Sequence, residues 1–460
     1  MIKGEAMKFA NKMAAGAGAA GLALFAALPV WAQEAATAVA APAAPAAEAA
    51  KPVANPGNNA WMMTSTVLVL LMILPGLALF YGGLTRTKNM LSTMTQIGAA
   101  ACLAMLIWVM YGYGLAFGPE GNQFIAWGKF FLAGVNADST AATFTDEVIS
   151  EYVFISFQMT FAAITLALVL GSVVERMKFS AVMVFGAIWL TIVYFPIAHM
   201  VWAGGGLFFE MGALDFAGGT VVHINAGVSA LVAALILGKR IGYTKEIMAP
   251  HSLTLTMVGT GLLWVGWFGF NAGSALEANG SAGLAMINTF VATASAGLFW
   301  MLAERAGGHK PSALGFCSGI IAGLVAVTPA AGNSGPFGAI LLGAVASIVC
   351  YFAVTKLKTK LGYDDSLDAF GIHGIGGMIG AIGTAVTMLT AIGGPAGDDY
   401  DLGSQLVTQV SAVATTIVWS TVGTVVAIYV AKLLTGLRVS EEVEREGLDL
   451  GEHGERAYNY

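Results

Sequence analysis

The chain has 460 residues, of which 57% are hydrophobic and only 10% charged, at a mean hydropathy of +0.75. No soluble domain of that length can cover so much apolar side chain with so little polar surface, so the composition calls for a polytopic membrane protein. A net charge of −6 lends no support to nucleic-acid binding, and apolar runs that are continuous instead of alternating argue against a β-barrel.

Residues 1–32 carry Lys3, Lys8 and Lys12, then the apolar stretch AAGAGAAGLALFAALPV, then Val30, Trp31 and Ala32. A basic start, a short apolar run and a small-x-small site read as a cleaved secretory signal, which would leave the mature amino terminus outside. Residues 33–58 are rich in Ala and Pro and too poor in large apolar side chains to fold, so a disordered periplasmic tail is expected there.

Eleven apolar stretches follow, near 60–82, 94–117, 152–174, 179–201, 218–238, 252–272, 282–303, 312–330, 336–356, 370–391 and 405–433. Each has about the 20 residues that a hydrocarbon core of roughly 30 Å requires. The 59 glycines suit helices that approach closely in lipid. If the first span runs inward, the inner loops hold Arg86, Lys88, Arg176, Lys178, Lys239, Arg240, Lys245, Arg305, Lys310, Lys356, Lys358 and Lys360, whereas the outer loops hold Lys129 alone. That bias predicts an external amino terminus and a cytoplasmic carboxyl terminus. The expected domains are a transmembrane unit over 59–433 and a cytoplasmic tail over 434–460.

An internal symmetry is also visible. Spans one to five and six to ten would form two inverted five-helix repeats, with a long eleventh helix outside them. The fifth member of each half carries a histidine, in TVVHINAG (His223) and FGIHGIGG (His373), and an acidic residue precedes each, Asp215 by eight positions and Asp368 by five. Opposite-facing repeats with a site at their interface are a recurrent transporter design. Cys102, Cys317 and Cys350 all fall in apolar runs without ligand spacing and read as small core residues.

Ionisable groups inside a span cost about 2.5 to 3.5 kcal/mol on insertion scales and face a bundle interior or a pathway. His223 and His373 are the two histidines deep in apolar runs. Residue spacing leaves two readings open, a mutually hydrogen-bonded pair acting as packing glue, or a paired imidazole lining a pore. His199 reads as structural, and His251, His309 and His453 as solvated loop or tail residues. Asp215 sits where a helix N-cap belongs, with direct cation binding as the competing reading. Asp368 is placed as the equivalent cap of span ten, with Asp364 and Asp365 as vestibule charges. FISFQMTFAA puts Phe154, Phe157 and Phe161 at helical spacing, while WVGWFGFNAGS brings Trp264, Trp267, Phe268 and Phe270 before Ser274, and MVWAGGG supplies Trp202. Such rings form either an interfacial belt or a cation site of ring faces plus a hydroxyl.

Taken in order, FYGGL, ERMKFSA, FPIAHMVW, DFAGGTVVHINAGVSALVAALILGKR, GWFGFNAGS, KPSALG, VTPAAG, FGIHGIGGMIG and the acidic EEVEREGLDLGEHGERAY resemble the ammonium transporter, methylammonium permease and Rhesus family. The resemblance covers roughly residues 58 to 460. It implies a transporter without cofactor, resident metal or enzymatic activity, in the inner membrane and serving nitrogen assimilation. Its substrate would be ammonium or ammonia, with methylammonium as analogue. It also implies a substrate site at Phe161, Trp202 and Ser274, a stacked gate of Phe161 and Phe270, and twin pore histidines at His223 and His373. Asp215, Trp267, Thr328 and Asp368 would support them. A homotrimer is implied, with a PII-type signalling protein as a partner at the cytoplasmic face. Three rivals are an intramembrane metalloenzyme, disfavoured by the lack of a third in-span histidine or of HExxH spacing, an ammonium sensor, and the Rhesus branch.

Overall fold

A computed structural model describes residues 52–459. The expected signal sequence at 1–32 and the Ala/Pro tail as far as residue 51 lie outside the described residues. Eleven helices among the described residues are long and apolar enough to cross a membrane: Pro56–Leu84, Thr87–Phe117, Glu151–Leu170, Phe179–Glu210, Gly219–Leu237, Leu253–Gly273, Gly280–Ala306, Ala313–Ala330, Pro336–Leu361, Phe370–Thr387 and Leu402–Thr435. We number them spans 1 to 11.

The expected tail ends short of residue 58. Asn55 Oδ1 accepts from Gly57 N at 2.9 Å and Asn58 N at 3.1 Å, with Pro56 at the first helical position, so span 1 starts at Pro56. Composition hid this cap because one Asn and one Pro do not change the character of a 26-residue low-complexity run.

The two halves pack alike. Span 1 lies on span 6 and span 5 on span 10, and span 2 meets span 4 as span 7 meets span 9. Glycine sets how close these crossings come. A Cβ on Gly227 of span 5 would stand 2.2 Å from Gly374 N of span 10, and one on Gly259 of span 6 would stand 2.3 Å from Phe80 N of span 1. Span 11 closes the bundle against spans 4, 5 and 10.

Between spans 2 and 3, two short hairpins pair Glu120–Asn122 with Ile125–Trp127 and Thr140–Ala142 with Val148–Ser150. His199 fastens the first to span 2, with Nδ1 2.8 Å from Ala116 O and Nε2 2.8 Å from Asn122 O, as a structural residue would. At the opposite end, the helices Glu441–Glu446 and Leu448–His453 fold back under the bundle. Glu444, Asp449 and Glu452 accept the backbone N–H groups of Ile241, Ser92 and Phe179 at 2.7, 2.7 and 2.8 Å. His251 and His453 are drawn into this tail instead of being solvated: His251 Nε2 meets Tyr458 Oη at 3.2 Å and His453 packs edge-on to Phe179. Cys317 and Cys350 are buried as expected, but Cys102 is exposed on span 2. Apolar sequence alone does not distinguish a lipid-facing surface from a core-facing one, because both are apolar.

Candidate functional site

Spans 5 and 10 each open with a wide π-type turn, Gly219–Ile224 and Phe370–Gly374, and each histidine lies in that turn. Such turns often coincide with functional positions. Four residues past each histidine is a glycine that lies on the other helix. Gly227 lies against Gly374 and the His373 carbonyl carbon, and a Cβ on Gly377 would be 3.1 Å from His223 Cβ. These mutual contacts bring the rings together, with His373 Nδ1 3.3 Å from His223 Nδ1. An Nδ1-to-Nδ1 hydrogen bond needs one donor and one acceptor, so the pair shares a single proton there and leaves opposite roles at the two Nε2 atoms. Both rings are buried, and His223 Nε2 has no hydrogen-bond partner.

The imidazoles border a narrow cavity of about 10 Å³, room for roughly one water-sized molecule. Its walls are otherwise apolar, from Leu77, Ile164, Leu168 and Leu263 among others. Trp267 stacks on His223 with centroids 5.4 Å apart at 24°. Its Nε1–H donates to Thr328 Oγ1 at 2.9 Å, and that hydroxyl donates in turn to Leu324 O at 2.7 Å. The indole N–H is thereby kept away from the imidazoles.

Phe270 lines this cavity and stacks on Phe161 at 4.2 Å and 20°. Above Phe161 opens a vestibule of about 690 Å³ that is also lined by Trp202, Asp215 and Ser274. Trp202 stands edge-on to Phe161, centroids 5.6 Å apart. Ser274 Oγ donates to Phe270 O at 2.8 Å, which leaves its lone pairs as acceptors. Phe154 and Phe157 line the same vestibule.

Asp215 does its work through the backbone. Its carboxylate accepts from Gly218 N at 3.2 Å and from Thr220 N and Val221 N at 3.0 Å, so it caps span 5. Its carbonyl accepts the Trp202 indole N–H at 2.8 Å. Burial pushes the carboxyl up to about 6, opposed by those N–H groups.

At span 10 the cap is Asp365, not Asp368. Asp365 accepts from Ala369 N at 3.0 Å and Phe370 N at 2.9 Å, and from the Ser172 hydroxyl. It precedes His373 by eight residues, as Asp215 precedes His223, so the repeat is closer than the Asp368 spacing implied. Asp368 pairs instead with Lys358 Nζ at 2.7 Å. Three acidic residues within five positions gave no local signal for which one reaches the helix.

Asp364 is likewise not a vestibule charge. It binds Arg240, Nη2 to Oδ1 at 2.8 Å, and Arg240 reaches Glu175 at 3.0 Å, which Arg86 also grips at 2.9 Å. Burial alone would raise both carboxyls, but Arg240 holds Asp364 below the usual carboxylate range, and Arg240 with Arg86 does the same for Glu175. This buried lattice anchors the segment that carries the Asp365 cap. Sequence reading missed it, since residues 86, 175, 240 and 364 meet only through the fold. Among the described residues no group of His, Cys, Asp or Glu has the arrangement of a metal site.

Comparison with known proteins identifies the family of the chain. The family model described as the Ammonium Transporter Family matches residues 60–458. An ammonium transporter of Aquifex aeolicus is 48% identical over 88% of this chain and 93% of its own. Among solved structures, one described as a sensor Amt protein superposes with a TM-score of 0.78 at 29% identity, over 86% of this chain and 98% of that one. Saccharomyces cerevisiae Mep2 gives 0.76 at 35% identity, over 85% and 88%. With a vestibule, a phenyl stack and paired imidazoles set out along eleven membrane-spanning helices, and a family match over nearly the whole of them, this chain belongs to the Ammonium Transporter Family.

Proposed function

We propose that this protein transports ammonium by admitting NH4+ and passing NH3. The observation that carries the reading is the Phe161–Phe270 stack at 4.2 Å, which separates a 690 Å³ vestibule from a narrow apolar cavity bordered by two buried imidazoles. In the vestibule the faces of Phe161 and Trp202 hold the cation and Ser274 Oγ accepts from it, each cation–π contact contributing about 0.5 to 2 kcal/mol. Beyond the rings a bare cation would pay a large desolvation cost, whereas neutral ammonia pays little. Ammonium can give up a proton and potassium cannot, so a dry passage separates two ions of similar size and charge.

His223 and His373 supply the polar atoms in that passage, and their shared proton offers a route for charge to cross with the ammonia. Reprotonation follows beyond the imidazoles, in a second cavity of about 450 Å³ that Arg240 and Phe80 help to line. The family relationship and the basic loops support an inner-membrane protein with the aromatic end periplasmic, the tail cytoplasmic, three subunits each with its own pore, and a PII-type regulator at the tail face.

The test is ammonium-evoked current in proteoliposomes with Na+ and K+ controls. The expected result is a current specific to ammonium that His223→Ala reduces or opens to K+. An unchanged ammonium current with no K+ current in that variant overturns the imidazole role. A sensor reading predicts binding without current in the unaltered protein.

A further inference from the structure

The vestibule at the Arg240 end has a volume of about 450 Å³. It begins directly beneath the imidazole pair, because Phe80 lines both cavities and Ile372 on its wall is the residue before His373. Most carboxylates around it are committed within the protein. Glu304 accepts from Ser312 N and Oγ at 2.8 and 2.7 Å. Asp364 is held by Arg240, and Asp365 caps span 10. Glu246 is exposed at the rim.

Asp368 differs from these. Its Oδ1 accepts from Lys358 Nζ at 2.7 Å, and the same ammonium group donates to Asp365 O at 2.6 Å. Asp368 has a φ of 60°, a left-handed conformation that residues other than glycine adopt reluctantly, so the turn presents its carboxylate from a constrained backbone. Lys358 reaches it from the last turn of span 9, and both residues line the vestibule.

A primary ammonium lodged between a carboxylate and a carbonyl is the same kind of donor as the ammonium ion. We propose that Asp368 Oδ1 and Asp365 O form a second ammonium site at the exit of the pore, and that Lys358 Nζ is its tethered occupant. This rests on the conduction reading above. The pair is mostly buried, its side chains 16% and 28% exposed, and Asp365 O gives the same ammonium group a second acceptor. The tether keeps the lysine beside these oxygens whatever the ammonium concentration in solution, so an incoming ion has to displace it. Newly formed NH4+ therefore finds these oxygens occupied and leaves, instead of lodging below His373 and opposing the next ammonia.

The experiment compares ammonium-evoked currents in ammonium-free and ammonium-loaded proteoliposomes for the unaltered full chain, Lys358→Met, and Lys358→Met with Asp368→Asn. Loading lowers the gradient equally in all three. In Lys358→Met the loaded current should fall further, with the half-inhibiting ammonium concentration lowered about twofold or more, the factor expected if the tethered group fills the site at least half the time. Adding Asp368→Asn should restore the sensitivity of the unaltered chain. Equal sensitivity in Lys358→Met and the unaltered chain overturns the proposal, as does a Lys358→Met defect that Asp368→Asn fails to relieve. Lys358→Gln serves as a second variant, and failure of both lysine variants to fold also overturns it, because a mere occupant is not needed for folding. Absence of ammonium current in the unaltered chain rejects the conduction reading itself, a result distinct from all of these.

Discussion

The crossing of spans 5 and 10 gives a sharp test of how the imidazoles are held. In Gly227→Ala the new methyl would stand 2.2 Å from Gly374 N and 2.4 Å from Gly374 Cα, both backbone atoms that cannot swing aside. Against an ordinary contact of 3.4 Å the shortfall is about 1.2 Å, so the helices must separate by a distance of that order. The His223–His373 bond is already 3.3 Å long, and such a shift takes it out of hydrogen-bonding range. Overpacking of this kind costs about 1 to 3 kcal/mol. Gly377→Ala is the internal control: its nearest neighbours are Ile224 Cγ1 at 3.0 Å and Gly219 O and His223 Cβ at 3.1 Å, so a few tenths of an ångström suffice. Thermal denaturation of the detergent-solubilised protein and ammonium current should both be impaired severely in Gly227→Ala and mildly in Gly377→Ala. Equal behaviour of the two variants, or an unaltered Gly227→Ala, would refute the claim that backbone contact fixes the pair.

Other outcomes follow from the same geometry. Trp202→Leu removes one ring face from the vestibule, and loss of about 0.5 to 2 kcal/mol should raise the half-saturating ammonium concentration roughly two- to thirtyfold in current measurements. Phe161→Ala deletes a ring that is only 1% exposed and joins the vestibule to the cavity below; a K+ current should appear alongside a stability loss of about 3 to 5 kcal/mol, and undiminished selectivity would count against the gate. Because the Asp215 carboxyl stands near 6, above the roughly 3.9 of a free aspartate, its protonated form favours the fold, and its contribution is lost as pH rises through that window; Asp215→Asn should flatten melting temperature against pH between about 4 and 6. Arg240→Ala leaves Asp364 buried without its cationic partner and Glu175 with Arg86 alone, at a cost of about 3 to 5 kcal/mol, visible as a loss of folded protein in detergent.

Sequence by itself determined the features that a single helix can encode. Eleven spans follow from apolar length, because a bilayer demands about 20 apolar residues wherever the chain crosses it. The likeness of the halves followed from His223 and His373, since an ionisable side chain stands out in an apolar run. The roles of neighbouring polar residues were not legible in the same way. Asp364, Asp365 and Asp368 share charge and position, and only the folded chain shows that one pairs with Arg240, one caps span 10 and one holds Lys358. Open alternatives also closed only in three dimensions. A stripe of Phe154, Phe157 and Phe161 could face lipid or a cavity, and the facing helix that brings Phe270 to 4.2 Å from Phe161 decides for the cavity. The imidazoles meet because glycines 150 positions apart remove the side chains that would keep their helices apart. Periodicity and composition are properties of one segment, whereas a contact depends on the shape of two.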